Sequence, residues 1–170
     1  VLWLIKADDR ALAVDEHFYH QVIGETYRHK VLFVISQSDK TEPTSGSRQL
    51  STEQKQNISR KICLLHELFR PVHPVCAISV RAKWGLRMMA ERMIKCLPRE
   101  ASSPVVAQLQ TPFRTTAVQE KARNDFGETV GAALDAVSAL PLIPAPVRAV
   151  IRAVRDTVVS VARTVWNFFF

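Results

Sequence analysis

The chain has 170 residues, 47% hydrophobic and 23% charged, with 23 Lys and Arg against 16 Asp and Glu for a formal charge of +7. That content excludes a chain disordered throughout, and the length suits one domain with an appendage. The basic excess permits contact with RNA or an anionic lipid surface but establishes neither.

Val1-Leu2-Trp3-Leu4-Ile5 is an unbroken apolar run of strand length, the pattern of a parallel strand covered on both faces. It is too short for the core of a signal peptide, and Lys6, Asp8, Asp9 and Arg10 follow it at once. A chain that opens inside a strand, without methionine, reads as a truncated or processed domain. Asp8 and Asp9 are adjacent at a strand exit and point apart, which favours a turn over a catalytic carboxylate pair.

Asp15 and Glu16 open a helical segment to about Tyr27, with Phe18, Val22 and Ile23 spaced for its inner face. His17 and His20 share a face there, but no third ligand has a suitable spacing, so a solvated face is expected and no metal site. Lys30 to Ile35 is the second strand, and Thr41 to Gln49 is a polar loop broken by Pro43 and Gly46.

Ser51 with Gln54 forms a capping-box pattern, opening a helix to about Phe69 whose buried stripe is Ile58, Ile62, Leu65 and Phe69. Pro71 and Pro74 end that helix, and a third strand follows to Ser79. Gly85 to Leu97 is helical, with Leu86, Met89, Ala90, Met93 and Ile94 inward. Strand and helix alternate, so right-handed crossovers predict an α/β fold: a three-stranded parallel sheet in three layers.

Residues 1–97 are thus expected to form the domain. Residues 98–125, with Ser102, Ser103, Pro104, Thr111, Pro112, Thr115 and Thr116, read as a linker. Residues 126–170 read as an amphipathic helical hairpin, Phe126–Leu140 and Val147–Phe170, turned by Pro141, Pro144 and Pro146. In its second helix Val147, Ile151, Val154, Val158, Val161, Val165 and Phe168 step by four and three. The leading reading packs this stripe on the first helix through Val130, Leu134 and Val137. The other lays it, with Arg148, Arg152, Arg155, Arg163, Trp166 and the terminal phenylalanines, on an anionic membrane surface. Arginine interrupts it too often for a span. Cys63, Cys76 and Cys96 are odd in number and widely spaced, as expected of reduced core or near-core thiols in a cytoplasmic protein.

The strand ends carry the chemistry. Guanine offers an acceptor at O6 and donors at N1 and N2, and one carboxylate can accept both donors. Asp39 stands just past the second strand, where such a carboxylate belongs. The Ser79-Val80-Arg81 turn follows the next strand and is placed to offer a backbone N–H to O6.

These residues resemble the last two signature motifs of the Era/TrmE-type branch of the P-loop GTPases. More closely, the chain is similar to the C-terminal part of the GTP-binding proteins carried by prophages of enterobacteria. The segments that carry the likeness are Leu2 to Leu12, Val31 to Lys40 and Ala77 to Leu86. The resemblance implies that Ser36-Gln37-Ser38-Asp39 stands at the Asn-Lys-x-Asp motif, with Ser36 and Gln37 in place of the Asn and the Lys. It implies that Ser79-Val80-Arg81 stands at Ser-Ala-Lys, with Val80 and Arg81 substituted. GTP or GDP is the implied ligand, held weakly by these six positions: Ser36, Gln37, Asp39, Ser79, Val80 and Arg81.

The family's Gly-x-x-x-x-Gly-Lys-Ser/Thr loop does not occur in the chain, nor do its switch threonine and Asp-x-x-Gly. No Mg²⁺ site and no catalytic residue are therefore expected, and GTP hydrolysis is expected to be lost. The alternative is a non-enzymatic module that binds a protein partner or a membrane surface through 147–170, placing a cytoplasmic protein at the membrane periphery. Self-association is expected through the Val1–Ile5 edge, unless the hairpin covers it.

Overall fold

Strands buried on both sides draw an apolar residue to every position, and the central strand does so here. In the computed structural model, which describes residues 1–44 and 48–170, β1 (Leu2–Lys6), β2 (Leu32–Ser36) and β3 (Cys76–Ala77) form a parallel sheet in the order β1-β2-β3. Leu2 to Lys6 pair in register with Leu32 to Ser36, and Val34 and Ile35 pair with Cys76 and Ala77. Leu32 through Ile35 are all buried. The expected breaker Gly46 lies outside the described residues.

The chain divides into two compact units, Val1–Cys96 and Leu97–Phe170. In the first, side chains of successive strand residues part to opposite faces. Ile5, Phe33, Ile35 and Ala77 share one core with Leu12, Tyr19, Ile58, Leu65 and Phe69. Leu32, Val34, Cys76 and Ile78 face the other way, against Leu86, Met89 and Met93 of α4 (Leu86–Cys96). The unit is thus an α/β sandwich of helix, three-stranded sheet and helix. Rings of Tyr19, Phe33 and Phe69 meet with centroids 4.7 to 5.7 Å apart, and Trp3 stacks on Phe33 at 5.6 Å. Each such ring buried contributes about 1.5–3 kcal/mol relative to exposure.

The helix on the first face, α3 (Thr52–Phe69), starts where the sequence places it. Ser51 Oγ accepts from the Gln54 amide at 3.1 Å, while Gln54 Oε1 accepts from the Ser51 amide at 2.9 Å. This satisfies two amides that the first turn leaves open.

Three expectations need correction in this unit. The segment after β1 is α1 (Ala13–Phe18), a π turn (Tyr19–Ile23) and α2 (Gly24–Tyr27), not one α-helix. The wider turn rotates the faces. Phe18 and Val22 therefore point outward, 45% and 60% exposed, and Tyr19 fills the core in their place. The second strand begins at Leu32 because Arg28–Lys30 form a 3₁₀ turn. Cys63 lies on the outer face of α3 and is exposed, so it is not a core thiol.

Residues 98–125, read as a linker, are largely helical. They hold α5 (Arg99–Gln108), a 3₁₀ turn (Thr111–Phe113) and the start of α6 (Thr116–Ser138). Pro104 sits inside α5 without ending it. The serines that suggested a loop are buried and bonded: Ser103 Oγ donates to the Ala122 carbonyl and accepts from Trp166 Nε1 at 2.9 Å. Thr115 caps α6, its side chain accepting from the Val118 amide.

Helices α6 and α7 (Ala145–Phe169) form an antiparallel hairpin. They do not meet through the heptad stripe. Gly127 and Gly131 are the contact points on α6: a Cβ at Gly127 would stand 2.7 Å from Arg163 Cγ, and one at Gly131 3.0 Å from Val159 Cγ2. Arg163 and Arg155 lie across these glycines and pair with Glu128 at 2.5 Å and Asp135 at 2.9 Å. On α7 the buried residues are Val159, Ala162 and Trp166, whereas Val147, Val154, Val158, Val161 and Phe168 remain exposed, and so does Val137 of α6. Trp166 is therefore no membrane anchor; its ring stacks on Phe170 at 5.8 Å. Among the described residues, no helix is long and apolar enough to cross a membrane.

Candidate functional site

Parallel sheets gather their loops at the carboxyl ends of the strands. Two of those loops meet in the first unit. After β2 the chain turns through Gln37, left-handed at φ 54°, into a 3₁₀ turn over Ser38–Lys40. The Ser38 amide donates to the Ile78 carbonyl at 3.0 Å, tying this turn to the end of the third strand. Gln54, buried at the start of α3, donates from Nε2 to the carbonyls of Asp39 and Thr41 at 3.1 and 3.0 Å. A single side chain thus caps a helix with its oxygen and grips the Asp39 turn with its nitrogen.

After β3 the chain folds back on itself between Ser79 and Trp84, whose backbones exchange two hydrogen bonds at 2.9 and 3.0 Å. Gly85 makes the return possible. Its φ is +74°, and a Cβ there would lie 2.1 Å from the Ala77 carbonyl oxygen. Inside this turn Ser79 Oγ accepts from the Ala82 amide at 3.0 Å and donates to Asp39 Oδ1 at 2.5 Å.

Two expected residues forty positions apart therefore share a short hydrogen bond, and Val80 and Arg81 occupy the same turn as Ser79. Among the described residues, the amides of Val80 and Arg81 donate to no protein acceptor, and Asp39 Oδ2 accepts from none. Val80 is 74% exposed. The arrangement can present one carboxylate oxygen and one or two backbone amides to a planar ligand with donors and an acceptor on one edge. Ser36 and Gln37 are not drawn in. Ser36 Oγ donates back to the Ile5 carbonyl at 3.4 Å, and Gln37 is exposed.

Gln54 and Gly85 are the positioning residues that motif reasoning passed over. The capping-box spacing pointed at Gln54 as a helix start, but its second hydrogen-bonding role has no local signature. A separate cavity of about 700 Å³ lies beside this turn, lined among others by Asp8, Asp9, Lys40, Arg60 and Lys61. Lys61 donates to the Asp9 carbonyl, and burial lowers its pKa. Asp9 Oδ1 accepts from the Ala11 amide, as in a turn. His20 is spent on the Leu68 carbonyl and on Arg28. Among the described residues, no group of three His, Cys, Asp or Glu could hold a metal ion. Burial raises the pKa of both Cys76 and Cys96, which disfavours the reactive thiolate.

Fold and turns together define an α/β protein with two strand-end loops locked by a serine–carboxylate bond. The chain is 83% identical over its full 170 residues to the uncharacterized protein YkfA of Escherichia coli (strain K12), and 81% identical to YfjP of the same strain. It covers 59% of the length of each. It is also 46% identical, over its whole length, to YeeP of that strain, of which it covers 73%. The chain belongs to the family of YeeP, YkfA and YfjP. No family model and no solved structure matches it.

Proposed function

We propose that the first unit is the base-reading half of a GTPase-like nucleotide domain and recognises guanine. The observation that carries this reading is the hydrogen bond from Ser79 to Asp39, which holds the carboxylate in place at the carboxyl edge of a parallel sheet. Asp39 accepts from guanine N1 and N2, through the free Oδ2 and the second lone pair of Oδ1 beside its bond from Ser79, and an amide of Val80 or Arg81 donates to O6. Adenine lacks the paired donors, so it is refused. A charge-assisted bond of this kind is worth roughly 1.5–3 kcal/mol, which is enough to set the choice of base. The guanine nucleotide is bound weakly, because the chain has no Gly-x-x-x-x-Gly-Lys-Ser/Thr string for its phosphates.

Titration of the full chain with fluorescent guanine and adenine nucleotides tests this. Guanine is expected to win, and Asp39→Asn is expected to move the preference to xanthine, whose carbonyl replaces the N2 donor. Equal binding of both bases, or indifference to Asp39→Asn, sinks the assignment.

A second reading is supported by the exposed valines of α7. In it the second unit is a surface-binding module that docks on a protein or on an anionic membrane.

A further inference from the structure

The cavity beside the Asp39 turn is separate from the base-reading edge. Strand order places β2 between β1 and β3. Ser79 reaches Asp39 from the β3 side, whereas the cavity lies on the β1 side, between the loop after β1, the turn after β2 and α3. Its volume of about 700 Å³ falls within the range, roughly 300–1,000 Å³, of small-molecule sites. It too sits at the carboxyl ends of parallel strands, where such sheets receive ligands.

Its lining is assembled from three segments. Asn57, Arg60, Lys61 and Leu64 stand at i, i+3, i+4 and i+7 and so share one face of α3. Lys40 comes from the turn after β2, and Arg10 from the loop after β1. Four cations converge, and among the described residues none of them forms an ion pair. Lys61 is half-buried and donates to the Asp9 carbonyl, an uncharged acceptor. Burial pulls its pKa down, against the opposing pull of Asp9 and Asp8, so its ammonium lacks a full counter-charge. Arg60 donates only to the Asn57 side chain, at 2.8 Å. The Thr41 hydroxyl, in the same wall, is buried and has no partner among the described residues.

Three carboxylates share the lining. Asp9 Oδ1 is taken by the Ala11 amide, while Asp8 and Glu42 are exposed to water. They form no group able to hold a metal ion, and the cations outnumber them. The donors come from separate segments, so they are best met by an anion with several oxygens. A phosphate accepts from a guanidinium fork and from ammonium groups on different sides at once, whereas a carboxylate offers only two oxygens. We propose that this cavity is a phosphate-binding site, held by Lys61 and Arg60 of α3 with Lys40 and Arg10. The phosphate belongs to a free phosphorylated small molecule or to the tail of a nucleotide whose base lies at Asp39. The site itself does not rest on guanine recognition.

Calorimetric titration of the full chain with inorganic pyrophosphate at low ionic strength tests it. The parent is expected to bind, and Arg60→Gln/Lys61→Gln is expected to bind at least about tenfold more weakly. Arg60→Gln alone, at an exposed position, keeps the test open should loss of the Lys61 bond disturb folding; it is expected to weaken binding about threefold or more. Lys55→Gln removes one charge from the far side of α3 and is expected to leave binding unchanged. A parent that ignores pyrophosphate overturns the inference. So does equal weakening by Lys55→Gln and Arg60→Gln, which would mean attraction to the general positive charge of the chain. Guanosine and guanosine diphosphate separate the two sources. Tighter binding of the diphosphate that Arg60→Gln abolishes assigns the site to the nucleotide tail. Equal binding of the two, with pyrophosphate still held, assigns it to a free phosphorylated compound. Failure of guanine preference leaves the pyrophosphate result untouched, so the two readings fail separately.

Discussion

The phenol oxygen of Tyr19 is buried and has no hydrogen-bond partner among the described residues, although its ring packs edge-on against Phe33 and Phe69. An unsatisfied buried hydroxyl costs about 1–3 kcal/mol. Tyr19→Phe keeps the ring, and the Arg28 guanidinium 5.5 Å above it, while removing that cost. We expect the variant to gain roughly 1 kcal/mol in urea denaturation. Burial also raises the phenol pKa above its ordinary value of 10.0, with Arg28 opposing the shift. The unfolded tyrosine therefore ionises first, and stability present below pH 10.0 is lost as pH climbs through the higher folded value. Tyr19→Phe should lack this part of the alkaline loss; identical alkaline limbs for parent and variant would count against it. Gly85 gives the opposite test. An alanine there combines φ +74° with a methyl 2.1 Å from a backbone carbonyl, and we expect Gly85→Ala to lose more than about 2 kcal/mol. Any nucleotide binding should go with it, because the Ser79–Trp84 return would open.

At the scale of elements, β1 and β2 are both apolar but do unequal work. β2 is central, and Phe33 is fully buried. β1 is at the edge of the sheet, with Leu2 and Leu4 42% and 62% exposed. Phe33→Ala should therefore cost about 3–5 kcal/mol. Leu4→Thr should change stability by less than about 0.5 kcal/mol, since threonine suits a strand and little burial is lost. Equal losses at the two positions in a denaturant titration would mean that β1 is covered. The open edge of β1 remains a place where another strand could add.

At the scale of the whole molecule, the proposed reading gives the chain a base site and no phosphate-binding string, and such a site cannot position a γ-phosphate for attack. We expect GTP turnover by the purified 170-residue chain to equal the buffer rate. Turnover that survives further purification and falls with Asp39→Asn would refute this. The chain spans 59% of YkfA and of YfjP. The GTPase reading predicts that the unmatched part of those proteins contains a Gly-x-x-x-x-Gly-Lys-Ser/Thr string after a strand. Inspection of their sequences for that string is the check.

Much of this architecture is legible in the chain by itself, because its signals are local. The apolar runs of β1 and β2, the Ser51–Gln54 box that opens α3 and the prolines that turn the hairpin each act within a few residues. What only the tertiary structure decided involves a choice between surfaces. The Ser79–Asp39 bond joins residues forty positions apart, and Gln54 reaches back to the Asp39 turn; no local pattern encodes either contact. In the π turn, one wider step put Tyr19 rather than Phe18 in the core. Ser103 spelled a loop until Trp166 and Ala122 supplied partners from other helices, while Ser102 bonds back to the Arg99 carbonyl of its own helix. Helix α7 makes the point most directly. Periodicity revealed an apolar row and could not say what would cover it. Gly127 and Gly131 let the helices approach closely, and Glu128 and Asp135 held Arg163 and Arg155 across the gap. The shorter row of Val159, Ala162 and Trp166 therefore packed, and the longer heptad row was left facing outward.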